Sequence, residues 1–98
     1  MDAWDGYRAS RDRIFAGFTD RHVGNVMVLT GDVHSNYAAD TKPNFDDPSS
    51  RTLGSEFVGT SIATGGNGSD TTGGTANQLA ENPHIKFRSA QRGYVKAA

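Results

Sequence analysis

Val26-Met27-Val28-Leu29-Thr30-Gly31-Asp32-Val33-His34 is the stretch on which the fold turns. Val26–Leu29 is a continuous apolar run, too short for a helix and bounded by Gly24-Asn25 before and Thr30-Gly31-Asp32 after. That pattern predicts a strand buried on both faces. Upstream, Gly6 to His22 sets Tyr7, Ile14, Phe15 and Phe18 on one helical face, with Arg8, Arg11, Asp12 and Asp20 largely elsewhere, so an amphipathic helix is expected. Asp5 is its expected N-cap and Gly24-Asn25 its stop, which leaves His22 in the last turn, where a cation is favourable. A helix feeding such a strand through a short turn is the second half of a βαβ unit, whose first strand is not among these residues.

Downstream, Ser35–Thr41 and Glu56–Ala63 are further strand candidates, the second rich in β-formers. Lys42–Arg51 between them carries the turn chemistry of a surface loop. Thr64–Thr75 (TGGNGSDTTGGT) has almost nothing to bury and is expected to be a flexible loop. Ala76–Glu81 adds one helical turn. Ile85–Arg88 and Gly93–Lys96 alternate apolar with basic residues, which predicts a terminal hairpin across Ser89–Arg92. No internal repeat is present.

The 98 residues suit one domain, and with 35% hydrophobic residues and 12 glycines the apolar supply is lean for a chain that must fold alone. A net charge of -1 gives no field to draw nucleic acid or an anionic membrane. The absence of cysteine removes disulfides, thiolate nucleophiles and Cys-type zinc sites, leaving His, Asp, Glu and Asn as metal donors. The first residues lack the basic start and apolar stretch of a signal peptide, and no apolar run reaches membrane-spanning length.

In open α/β sheets the residues just beyond the carboxyl ends of strands form the ligand crevice, and Asp32 and His34 stand at that position. In an extended segment, residues two apart point to one side, so a carboxylate oxygen and an imidazole nitrogen converge. Mixed oxygen and nitrogen donors suit zinc, iron or manganese. Gly31 would let the backbone turn close to a bound phosphate, and Thr30 would orient a ligand from behind. Spacing alone fits equally a turn with a satisfied Asp and an incidental His. Asn36 extends the motif as a candidate phosphate-binding residue or as an ordinary strand position. His84 reads as structural, Arg92 as a solvent-facing turn residue, and the Gly65–Gly74 loop lacks the Lys and the strand–helix context of a P-loop.

Read together, Asp2-Ala3-Trp4-Asp5-Gly6-Tyr7, Val28–Asn36, Glu56–Ile62, Asn82-Pro83-His84-Ile85-Lys86-Phe87 and Gln91-Arg92-Gly93-Tyr94-Val95 closely resemble the C-terminal part of the PhoD-like alkaline phosphatases, within the calcineurin-like metallophosphoesterases. The resemblance implies an α/β fold: a partial calcineurin-like sandwich in which an N-terminal helix is followed by several strands, with residues 1–98 forming one part of a larger domain. It also implies hydrolysis of phosphomonoesters and phosphodiesters, with iron and calcium as the metal set and Asp32 and His34 in the last metal-binding motif. Full-length members are typically secreted or periplasmic. The family's other metal motifs do not occur upstream of Asp32, and a binuclear clamp needs correspondingly more donors. Three readings follow: a metal-dependent phosphoesterase or its C-terminal portion, with further donors drawn from Asp5, His22, Asp40, His84 or a symmetric partner chain; a non-catalytic remnant that self-assembles or binds metal weakly; and a metal-dependent hydrolase of another ester, such as a phosphotriester.

Overall fold

The computed structural model describes residues 6–63 and 75–97. Helix α1 spans Arg8–Asp20, with Tyr7 in the N-cap position and no side-chain cap; the amides of Ser10 and Arg11 are met by the Tyr7 carbonyl. The expected cap, Asp5, lies outside the described residues, and the helix begins two residues later than its sequence pattern. Its end is also earlier. His22 adopts φ 54, its N–H donates to Thr19 O, and the Val23 N–H donates to Phe18 O at 2.9 Å. This is a Schellman closure with His22 in the left-handed position usually given to glycine. The stop is therefore His22 itself, ahead of the Gly24-Asn25 pair.

Strand β1 (Val26–Thr30) follows, then β2 (Asn36–Thr41), β3 (Gly54–Val58), α2 (Thr75–Glu81) and β4 (Ile85–Ser89). The four strands form one mixed sheet in the order β1-β3-β2-β4. β1 runs parallel to β3, whereas β2 is antiparallel to both β3 and β4. Gly54 permits the first pairing, because a Cβ there would overlap the Val26 carbonyl.

Four expectations need correction. β1 is not buried on both faces, because nothing among the described residues covers the face that carries Met27 and Leu29, which are 55% and 60% exposed; it is also an edge strand of the described sheet. β3 begins two residues before Glu56 and stops at Val58, leaving residues 59–63 outside the sheet. The terminal hairpin does not form, because β4 takes β2 as its partner and residues 93–96 carry no strand. Charge explains the choice. On β2, Asp40 offers Lys86 an opposite charge at 3.5 Å, whereas residues 93–96 (Gly-Tyr-Val-Lys) carry no acid. Thr75 is the buried first residue of α2 and not part of a loop, while the Gly-rich residues 64–74 lie outside the described residues.

Packing of α1 is narrower than its apolar stripe. Phe15 is buried, whereas Tyr7 and Ile14 are exposed. Phe15 meets Phe18 and Phe45, the Arg11 guanidinium lies 4.5 Å over the Phe45 ring, and Phe45 meets His84 edge-on at 4.9 Å. The 42–51 loop thus serves as the helix's floor. It is stiffened from within by the buried Lys42, whose Nζ donates to the carbonyls of Ser50 (2.8 Å) and Pro48 (3.4 Å).

Candidate metal centre

The carboxyl ends of β1, β3 and β4 and the start of β2 lie at one end of the sheet. The Gly59 N–H donates to Thr30 O at 2.9 Å and ties the first two ends together. Beyond Thr30 the chain is not extended, contrary to the alternation expected for Asp32 and His34. Val33 N–H turns back to Gly31 O at 3.0 Å, and Asp32 and His34 adopt φ 76 and φ 56. A non-glycine residue held left-handed costs about 1–3 kcal/mol, and such positions cluster at functional sites. Gly31 is not itself left-handed, and a side chain there would meet only the Gly59 carbonyl at 3.9 Å. The conformational demand falls on Asp32 and His34 instead.

Both side chains are exposed, and neither takes a hydrogen bond or an ion pair among the described residues. One carboxylate and one imidazole on a tight turn are a fitting pair of donors for a Lewis-acidic ion. They are two donors only: among the described residues no group of three or more His, Cys, Asp or Glu side chains is placed to hold a metal. Among the described residues, the other candidate donors are not brought to the pair. Asp40 faces Lys86, and His84 is packed on Phe45, its pKa lowered first by burial and then by Arg11, Lys42 and Lys86. His22 closes α1 and lines a cavity of about 720 Å³ with Phe18, Met27, Arg51 and Phe57, at the opposite end of β1 and β3. Asp5 lies outside the described residues.

Asn36 and Arg92 do reach this end of the sheet. The Asn36 amide bridges two segments: its Nδ2 donates to Gln91 O at 2.9 Å, and its Oδ1 accepts from the Thr60 N–H at 3.2 Å. Arg92 is exposed, with Nη1 donating to Ser61 Oγ at 3.2 Å.

Sequence reasoning passed over two further features. Glu56 stands level with Val28 and Ala39 in the middle of the sheet, half-buried, and burial raises its pKa. An acid beside Phe57-Val58 in a β-forming run was the available signal. Ser35, next to His34, is buried and lies within reach of Arg88 on β4. Nothing local to Ser35 announces that contact, since its partner is 53 residues away.

Comparison with known proteins bears on the family and the fold. A family model described as PhoD-like phosphatase matches residues 1–98. The chain is 49% identical over 96 residues to alkaline phosphatase D of Bacillus subtilis (strain 168), covering 98% of this chain and 16% of that protein. A solved structure of PhoD superposes with a TM-score of 0.90 at 49% identity, over 96% of this chain and 18% of the other. The chain thus spans less than a fifth of the length of the relatives it matches. The α/β architecture expected from the sequence is that of the matched portion, and the chain belongs to the PhoD-like phosphatase family.

Proposed function

We propose that this chain forms part of a phosphoester hydrolase domain, a portion of a larger metallophosphatase unit in which Asp32 and His34 supply two ligands to a catalytic metal ion. The observation that carries the reading is the turn 31–34: two left-handed, exposed, unpartnered donor residues at the carboxyl end of a strand, in a chain 49% identical to an alkaline phosphatase. Iron and calcium are the metals the family resemblance suggests, and the donor types equally admit zinc or manganese. A bound ion would supply hydroxide at neutral pH and charge stabilisation at the phosphoryl oxygens. The chain's own contribution is to hold one oxygen and one nitrogen donor on a turn whose backbone is fixed. Phosphomonoesters and phosphodiesters are the proposed substrates, with a substrate panel separating them from phosphotriesters.

The test is equilibrium dialysis against Mn²⁺ with p-nitrophenyl phosphate turnover, in wild type, Asp32→Ala and His34→Ala. Each variant should lose Mn²⁺ affinity by at least about tenfold, and any turnover with it. Unchanged retention in both variants would remove the reading. One observation favours a second reading, a module that binds metal weakly and does not catalyse alone: among the described residues no third donor stands beside the pair. Metal retention without turnover is its signature.

A further inference from the structure

Arg88 occupies an unusual place for a strand arginine. It lies level with Tyr37 in the β2–β4 pairing, its guanidinium carbon 5.8 Å from that ring's centroid, and its three nitrogens reach three different segments. Nε donates to Tyr37 Oη at 3.4 Å, Nη1 to Thr75 Oγ1 at 2.9 Å and Nη2 to Ser35 Oγ at 3.4 Å. Tyr37 Oη in turn exchanges a hydrogen bond with the Gln78 amide on α2. Ser35 and Thr75 are each only 6% exposed, so the guanidinium meets buried residues there and not rim groups. The fork of Arg88 therefore joins β4, β2, the start of α2 and the residue that follows His34.

That last contact matters because the turn 32–34 must be held. Two left-handed non-glycine residues within three positions would relax towards ordinary backbone unless their flanks are fixed. On the upstream side, Thr30 is fixed by the Gly59 N–H. On the downstream side, Ser35 is fixed through its hydroxyl. Resting on the metal-ligand reading of Asp32 and His34, we propose that Arg88 is a positioning residue for that pair: it anchors Ser35 and so sets the His34 backbone from which the imidazole is presented. Lysine cannot replace it, because a single ammonium does not span three acceptors in fixed directions.

Arg88→Lys, Ser35→Ala and, as a control on the same strand, Lys86→Met test this. The first readout needs no metal: the His34 amide coupling constant and ring resonances by NMR, with thermal unfolding alongside. Arg88→Lys and Ser35→Ala should shift the His34 signals and move the coupling away from its left-handed value, while Lys86→Met leaves them in place. The second readout is Mn²⁺ affinity, expected to fall about tenfold in Arg88→Lys and Ser35→Ala and to stay within about twofold in Lys86→Met. His34 signals unchanged in Ser35→Ala overturn the proposal, as does an equal shift in Lys86→Met. Should Arg88→Lys not fold, Ser35→Ala decides, since it removes one hydroxyl and no charge. If wild type itself does not bind Mn²⁺ through Asp32 and His34, the function reading fails while the metal-free His34 readout still decides the role of Arg88.

Discussion

Glu56 shows how burial sets a residue's behaviour independently of its charge count. It sits level with Val28 and Ala39, and burial alone raises its pKa above the ordinary 4.5. A raised carboxyl pKa means the folded chain binds the proton more tightly than the unfolded one, so stability is greatest at low pH and declines as pH rises from about 4.5 through the raised value. Glu56→Gln should therefore stabilise the chain at pH 7 and leave it unchanged near pH 4, as read by urea unfolding at both pH values. Equal effects at the two would mean that Glu56 is solvated. At this scale the sequence shows residue type and strand-end position, which is what makes Asp32 and His34 candidates. Their left-handed backbone was not legible, because alternation along a strand is a local rule and the turn is tied to Gly59. The bridging of Asn36 was equally hidden, its partners lying 24 and 55 residues away.

Elements were legible where they depend on neighbours in sequence and misread where they depend on a distant partner. α1 shows itself by its apolar spacing and β1 by its unbroken apolar run. The burial of β1, however, depends on what packs across its faces, and among the described residues nothing covers Met27 and Leu29. The helix end is instructive because a glycine two residues on drew the reading past the true closure. His22 closes α1 at φ 54, a conformation that costs a side-chain-bearing residue about 1–2 kcal/mol and costs glycine little. His22→Gly should raise stability by about 0.5–1 kcal/mol, part of the gain being offset by the glycine's extra freedom in the unfolded chain. The midpoint of thermal unfolding checks this, and a lowered midpoint would mean that the imidazole contributes packing that outweighs the strain.

At the scale of the molecule, one sheet face is under-covered by the described residues: Met27, Leu29 and Phe87 are each more than half exposed. The lean apolar content pointed this way, but which face would stand bare depends on the register that aligns the strands. Leu29, Phe57, Ala38 and Phe87 stand level across all four strands, and Leu29 and Phe87 are more than half exposed, as is Met27 two positions along. A contiguous apolar face of this kind binds hydrophobic dye and favours association, unlike apolar residues scattered singly. Met27→Thr combined with Leu29→Thr keeps strand-forming side chains while removing that apolar surface. The double variant should lower 1-anilinonaphthalene-8-sulfonate fluorescence and shift sedimentation towards the monomer. Its unfolding free energy should stay within about 1 kcal/mol of wild type, because neither side chain is buried against the described chain. A loss of several kcal/mol would carry the opposite meaning: Met27 and Leu29 would be covered in solution, and the sheet face would count as core.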